Sequence, residues 1–401
     1  MKNITLLGST GSIGRQTLDI AGAHKDAVRV LGLASGSNSL SELAAQCLEF
    51  QPYLVSVPNH SDASELRKIL QNTSSKERFR GEITYGAEGL VEVATLDEAQ
   101  TVVTGVVGFL GVKPTLEAIK LGKTIALANK ETMVAAGPVI IEALKKHKAA
   151  IVPVDSEHSA IFQSLGGHKS TDIESIWLTG SGGPFRTWSK ESIENATIDD
   201  ALNHPNWSMG PKITIDSATM MNKGLEIIEA RYLFDIEPKK IEVLIHPQSI
   251  LHSAVQFIDG SVVGQMGVPD MRLPIHYAIF YPETVASTRT PRLNLMDLGS
   301  LSFQYPDFEK FPCLKLAREV AEQNNTLACV LNAANEIIVE AYLQGRLAFH
   351  KIASHIEKVL VLHKPVKDPC LDDILEADRW AREKAKATVA TAEAELSIKR
   401  D

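Results

Sequence analysis

Asp155 and Glu157 stand two residues apart in Pro153-Val-Asp-Ser-Glu-His-Ser-Ala160, at the end of an apolar run from Ala150 to Val154. The run reads as a buried parallel strand, and Ser156 to Leu165 as the helix behind it, closed by Gly166 and Gly167. In an open α/β sheet, ligands bind in the crevice at the carboxyl ends of the strands, which is where these two acids fall. If the junction is extended, positions i and i+2 point the same way. Two carboxylates aimed at one point repel unless a proton or a cation lies between them, and hard oxygen ligands suit Mg²⁺ or Mn²⁺. The competing explanation is that Asp155 and Ser156 only cap the helix and complement its dipole.

A second cluster follows in Thr214-Ile-Asp-Ser-Ala-Thr-Met-Met-Asn-Lys-Gly-Leu-Glu226. In a helix Asn222, Lys223 and Glu226 are three and four apart and share a face. Lys223 and Glu226 could be a plain surface pair worth roughly a few tenths of a kcal/mol. Gly224 inside that helix costs about 1 kcal/mol against Ala, which points to something approaching closely. Between the clusters, a strand at Ile176–Thr179 opens into Gly180-Ser181-Gly182-Gly183-Pro184-Phe185. Glycines around a serine can present several backbone N–H groups together, the means by which anions are cradled. From Arg186 to Pro211 the chain is polar, rich in Pro and Asn and without clear periodicity, and it carries His204-Pro-Asn-Trp-Ser-Met-Gly210. A long loop is expected there, with Trp207 and Met209 placed as a lid over a ligand.

The elements that must position these groups begin at residues 3–14, a short apolar strand, a turn with Gly8, Gly11 and Gly14, and a helix to about Ala23. That is a dinucleotide-binding opening, in which glycines permit a tight turn, close backbone approach to pyrophosphate and tight helix packing. The next strand, Val28–Ala34, ends in Ser35-Gly36-Ser37-Asn38, where NAD enzymes tend to place an acid for the ribose hydroxyls. With no carboxylate there to repel a 2′-phosphate, the tip favours NADP. Strands are expected at Tyr53–Val57, Glu82–Tyr85, Thr101–Val107, Thr124–Ala128 and Ala150–Val154, alternating with helices, hence a doubly wound parallel sheet. Thr124–Ala128 delivers Asn129-Lys130-Glu131 to the edge that bears the glycine turn, with Asn129 otherwise a helix cap. Further strands at Ile241–His246, Leu251–Ile258 and Ser261–Met266 form a hairpin that needs cover from a helix or a second subunit. The fold class is α/β: an N-terminal Rossmann-like parallel sheet (1–149), a central α+β catalytic domain with a flexible lid loop and dimerisation strands (150–281), a proline-rich linker (282–312) and a C-terminal helical bundle (313–401).

Composition narrows the function classes. With 401 residues, 44% hydrophobic and 22% charged, the chain suits two or three globular domains, and its net charge of −8 argues against a nucleic-acid surface. No apolar stretch is long enough to span a bilayer, and Cys47, Cys313, Cys329 and Cys370 have no metal-binding or disulfide spacing, so a reduced, cytoplasmic protein is expected.

Gly-Ser-Thr-Gly-Ser-Ile-Gly (8–14), Ala-Asn-Lys-Glu (128–131), Pro-Val-Asp-Ser-Glu-His-Ser-Ala (153–160), Thr-Gly-Ser-Gly-Gly-Pro-Phe (179–185), His-Pro-Asn-Trp-Ser-Met-Gly (204–210) and Asp-Ser-Ala-Thr-Met-Met-Asn-Lys-Gly-Leu-Glu (216–226), in this order, resemble 1-deoxy-D-xylulose 5-phosphate reductoisomerases. The resemblance implies NADPH- and Mg²⁺- or Mn²⁺-dependent rearrangement and reduction of that phosphorylated ketose to 2-C-methyl-D-erythritol 4-phosphate, a step of non-mevalonate isoprenoid biosynthesis, by a cytoplasmic homodimer. It assigns the metal to Asp155, Glu157 and Glu226. It places the substrate on Lys130, Ser156, Glu157, Ser181, His204, Ser217, Asn222, Lys223 and Glu226, with Glu157, Lys130 and His204 as the catalytic side chains. It lays NADPH on Thr10, Gly11, Ser12, Ile13, Gly36, Ser37, Asn38, Asn129, Glu131 and Gly210. Some members have Lys where this chain has Ser37. Two other readings remain: an NADP-dependent semialdehyde dehydrogenase, which needs no metal, and a nucleotide-sensing protein that binds NADPH without turnover.

Overall fold

The computed structural model describes residues 1–73, 78–207 and 209–398. Two compact units are present: residues 1–132, 140–159 and 270–291 form the first, and residues 133–139, 160–269 and 292 onward form the second.

The first unit is built on seven parallel strands: β1 (Lys2–Leu7), β2 (Val28–Ala34), β3 (Leu54–Val57), β4 (Glu82–Tyr85), β5 (Thr101–Thr104), β6 (Thr124–Leu127) and β7 (Ala150–Pro153). Their order is β4-β3-β2-β1-β5-β6-β7, so the winding reverses at β1. Ile4, Leu6, Val30, Leu33, Val102, Ile125 and Val152 are all buried, as strands covered on both faces require. The register pairs Leu7 with both Ala34 and Thr104, and Leu127 with both Thr104 and Pro153. The carboxyl ends are therefore level, and Gly8, Ser35, Gly105, Asn129 and Asp155 all emerge along one edge. β5 stops at Thr104 rather than running to Val107, because Gly105 turns beneath the glycine loop, its N–H donating to the Leu7 carbonyl at 2.7 Å. Residues 270–291 return to this unit: Lys2 Nζ donates to the Phe280 and Tyr281 carbonyls, and His276 and Phe280 pack edge-on against His24.

The second unit holds a four-stranded sheet, β8 (Ile173–Gly180), β9 (Ile241–Ile245), β10 (Leu251–Phe257) and β11 (Val262–Met266), in the order β11-β10-β8-β9. β10 is antiparallel to β8 and β11, whereas β9 runs parallel to β8. Four helices follow at Pro312–Ala321, Leu327–Leu343, Ile352–Leu362 and Leu371–Ile398. The last runs on into the Ala/Lys/Glu-rich tail, which is composed largely of strong helix formers. The expected irregular stretch from Arg186 to Pro211 contains two helices, Lys190–Glu194 and Ile198–Leu202. Each is too short for periodicity to register, yet both are capped, by Ser189 and by Thr197 reciprocally with Asp200. The four cysteines are unpaired, and burial pushes the Cys47 and Cys313 thiols up to about 12, which makes them inert packing groups.

Candidate active site

In the first unit the glycine turn is dictated by crowding. Gly8 has φ +90°, and a Cβ there would lie 2.5 Å from the Gly105 carbonyl oxygen; one on Gly14 would lie 2.3 Å from the Gly8 carbonyl oxygen. No other residue type fits either position, so the helix Ser12–Ala23 starts with its N-terminal amides at the switch point of the sheet. The Thr10 and Ser35 hydroxyls are 2.5 Å apart and tie this turn to the tip of β2. Ser37 begins a short 3₁₀ turn at that tip and donates to Asp62 Oδ2 at 2.7 Å. Here the expectation that no carboxylate stands at the β2 tip is corrected. Asp62 belongs to the helix after β3, and the sequence rule inspects only the residues that follow β2.

Along the same edge Asn129 is buried and donates to the Gly108 carbonyl and to Glu131 Oε2, both at 3.0 Å. It does not cap its helix with its side chain. Lys130, also buried, donates to Asp155 Oδ2 at 2.6 Å. The other oxygen of Asp155 accepts the Glu157 N–H at 3.1 Å. Asp155 thus serves as a cap and also presents charge to Lys130. Glu157 sits in the first helical turn rather than in an extended pair with Asp155, and its carboxylate accepts the Ser156 hydroxyl at 2.6 Å. His158, absent from the predicted set, is fully buried with Nδ1 3.3 Å from Asp155 Oδ1; its position three residues after Asp155 on a helix was the available signal.

In the second unit the helix Met221–Phe234 starts after Met220 in the left-handed region and brings Asn222, Lys223 and Glu226 onto one face. Asn222 Nδ2 donates to Glu226 Oε1 and Lys223 Nζ to Glu226 Oε2, each at 2.5 Å. Lys223 is 4% exposed and Glu226 0%, so the surface-pair explanation fails. Gly224 is explained by helix Pro312–Ala321: a Cβ on it would lie 2.3 Å from Ala317 Cβ. The glycine turn after β8 is pressed from both sides. A Cβ on Gly180 would lie 2.8 Å from Lys223 Cε, and one on Gly183 would lie 2.6 Å from the Ser217 carbonyl oxygen. Ser181, Ser217 and Lys223 are thereby gathered around one turn, in which Gly182 and Gly183 have positive φ.

Ser181 Oγ is 3.1 Å from His204 Nε2 and accepts the Gly183 N–H at 3.2 Å. His204 Nδ1 accepts the Asn206 and Trp207 amides at 3.2 and 3.0 Å, so the proton belongs on Nε2, which donates to Ser181. Asn206 Nδ2 in turn donates to the Pro247 carbonyl and to Ser249 Oγ, holding the stretch that carries Trp207 against the turn between β9 and β10. Met209 is half-buried, and Gly210 caps the helix Pro211–Ala218. Glu229, one turn beyond Glu226, is fully buried and was not among the predicted residues, although its spacing marked it.

Comparison with known proteins decides which chemistry this is. Residues 4–137 match the 1-deoxy-D-xylulose 5-phosphate reductoisomerase family model, residues 151–234 its C-terminal domain model, and residues 266–384 a further C-terminal domain model of the same family. The reductoisomerase of Chlorobium phaeobacteroides is 52% identical over 98% of this chain and 100% of its own, and that of Pelotomaculum thermopropionicum 51% identical over 95% and 97%. The chain belongs to the 1-deoxy-D-xylulose 5-phosphate reductoisomerase family. A crystal structure of a family member in complex with NADPH, fosmidomycin and magnesium superposes with a TM-score of 0.89 at 40% identity, covering 97% of this chain and 98% of that one. The Zymomonas mobilis enzyme in complex with NADPH gives 0.88 at 40% identity, covering 97% and 99%. The activity is that of a reductoisomerase, NADPH-dependent and belonging to the non-mevalonate isoprenoid pathway, which sets aside the semialdehyde dehydrogenase and sensor readings. NADPH and Mg²⁺ are its cofactors. The donor chemistry available in each unit suits such an ion: Asp155 and Glu157 in the first, and the fully buried Glu226 in the second, carry hard carboxylate oxygens. No helix among the described residues is long and apolar enough to cross a membrane.

Proposed function

We propose that Asp155, Glu157 and Glu226 hold the divalent cation, and that the ketose phosphate is held by its phosphate on Ser181, Ser217, Asn222 and Lys223. The observation that carries this reading is the turn Gly180–Gly183. Its glycines are required by the Lys223 side chain and the Ser217 backbone, the arrangement a tetrahedral anion needs from a cradle of N–H, hydroxyl and ammonium donors. NADPH lies along Thr10, Gly11, Ser12 and Ile13, with Gly36, Ser37 and Asn38 at its adenosine end and Asn129, Glu131 and Gly210 completing the site.

The cation, when bound, polarises the ketone and acidifies the neighbouring hydroxyl that the skeletal rearrangement must deprotonate. The chain's own groups do the rest. Lys223 and Ser217 fix the phosphate as a handle whose binding energy positions the reacting end. Lys130, oriented by Asp155, and Ser156 and Glu157 orient the hydroxyls, with Glu157 receiving the proton. His204, donating from Nε2, hydrogen-bonds a substrate oxygen beside Ser181. Trp207 covers the substrate and excludes water while hydride passes from NADPH to the rearranged aldehyde. The enzyme works as a cytoplasmic homodimer. Supporting this, β11 is the edge of its sheet, with Val262 and Val263 about half exposed and Ile258 beside them more so, a surface that a second copy would cover.

The test follows NADPH absorbance with 1-deoxy-D-xylulose 5-phosphate, with Mg²⁺ present and after its removal by EDTA. Oxidation that requires both substrate and metal is expected; oxidation that persists in EDTA would refute the carboxylate-held cation.

A further inference from the structure

The helix Pro211–Ala218 carries a charged pair against its own dipole. Lys212 lies in the first turn, where the positive pole of the helix disfavours a cation, and Asp216 in the last, where the negative pole disfavours an anion. The two are nonetheless joined, Lys212 Nζ to Asp216 Oδ2 at 2.8 Å, and Asp216 is 1% exposed. Local helix energetics do not account for a buried acid at this position; a partner on another element does. Asn335, fully buried on helix Leu327–Leu343, donates through Nδ2 to Asp216 Oδ1 at 2.8 Å, so both oxygens of the carboxylate are engaged. Asn335 Oδ1 is buried with no hydrogen-bond partner among the described residues, and the bond to Asp216 fixes which way the amide faces. The Cys313 thiol, on helix Pro312–Ala321, faces the same charge: burial first, and then Asp216, push it up to about 12.

Asp216 adjoins Ser217, one of the groups given to the substrate's phosphate under Proposed function. The Ser217 carbonyl accepts the Met220 N–H at 3.1 Å and presses on Gly183, where a Cβ would lie 2.6 Å from it. The chain from here to Lys223 has little slack, since the Thr219 hydroxyl donates to the Ile215 carbonyl at 3.0 Å and Met220 is held at φ +60°. A slide of helix Pro211–Ala218 along helix Leu327–Leu343 would carry Ser217 away from the glycine turn. We propose that Asp216 and Asn335 are positioning residues, a buried tether by which helix Leu327–Leu343 holds Ser217 at the phosphate's place beside Gly180–Gly183. The proposal rests on the phosphate being held there, and it gives the C-terminal helices a part in substrate binding.

The test uses the full chain with NADPH and Mg²⁺. It reads KM and kcat for 1-deoxy-D-xylulose 5-phosphate, inhibition by inorganic phosphate as a probe of the handle alone, and NADPH affinity by fluorescence. Asn335→Ala should raise KM and the inhibition constant of phosphate about tenfold each, with kcat within about threefold and NADPH affinity unchanged. Asn335→Leu, which fills the volume without donating, serves where the alanine variant does not fold. Exchanging the pair, Asp216→Asn with Asn335→Asp, restores a carboxylate–amide hydrogen bond of reversed polarity and should return both constants to within about threefold of the natural values. A tether that only stabilises the fold would lower the melting temperature of the Asn335 variants and leave both constants where they were, which overturns the proposal. An exchanged variant that melts like the natural protein yet binds as weakly as Asn335→Ala overturns it too. If phosphate does not compete with substrate in the natural protein and Ser217→Ala leaves KM unchanged, the placement of the phosphate falls, and the proposal with it.

Discussion

Both units contain a buried lysine against a buried carboxylate, yet the two pairs are assembled by opposite means. Lys130 and Asp155 are 25 residues apart in sequence, and they meet at 2.6 Å because β6 and β7 are neighbours whose carboxyl ends lie level. Lys223 and Glu226 are three apart on one helix and meet at 2.5 Å through helical geometry alone, with Asn222 on the remaining oxygen. The first pair is a product of sheet register, the second of local periodicity reinforced by what packs on the helix. A shift of β7 against β6 would dissolve the first, whereas the second survives anything that leaves its helix wound.

The comparison is broken most severely by deleting the carboxylates. Asp155→Ala leaves the Lys130 ammonium buried without that partner and removes the helix cap, so a loss of about 3–5 kcal/mol in unfolding free energy is expected by denaturant titration. Lys130→Met combined with Asp155→Leu should recover much of that stability and none of the turnover. If the double variant keeps activity, the pair is structural and the chemistry lies elsewhere. Glu226→Ala likewise leaves the Lys223 ammonium buried without that carboxylate, so a comparable loss of stability is expected together with loss of turnover.

Sequence made these two pairs unequally legible. Asn222, Lys223 and Glu226 could be read as one face directly from their spacing, and Gly224 signalled the contact that Ala317 supplies. The seven-strand sheet was legible too, because buried parallel strands are unbroken apolar runs. Asp155 was found as an acid at a strand end, but its pairing with Lys130 depends on strand order, which no local pattern encodes. The same reason hid Asp62, brought to the β2 tip by the β2–β3 pairing. His158 and Glu229 lie one turn from residues already assigned, a spacing that marks a shared helix face but does not by itself separate a site residue from ordinary core. The helices within residues 186–211 escaped because five residues carry no period, only caps.

An intermediate effect tests the packing that supports the local pair. Gly224→Ala sets a methyl 2.3 Å from Ala317 Cβ and should cost about 1–3 kcal/mol by thermal or denaturant unfolding. Ala317→Gly in the same chain should restore most of it. A neutral Gly224→Ala would mean that the two helices separate freely, and that the helix of Lys223 and Glu226 is held by its own winding alone.

The smallest expected effect is the sharpest on function. Gly180→Ala places a Cβ 2.8 Å from Lys223 Cε. The lysine stem is flexible and yields by a few tenths of an ångström, so the fold survives and only the ammonium moves. A displaced point charge weakens its grip on a phosphate dianion, and KM for the ketose phosphate should rise about tenfold, equivalent to roughly 1.4 kcal/mol. The affinity for NADPH, measured by fluorescence without substrate, should stay constant, because the residues proposed above for the dinucleotide include neither Gly180 nor Lys223. Equal loss of both affinities would tie the two pairs together as one mechanical device; loss confined to the substrate keeps them distinct, one set by sheet register for the reacting end and one set by a single helix for the phosphate.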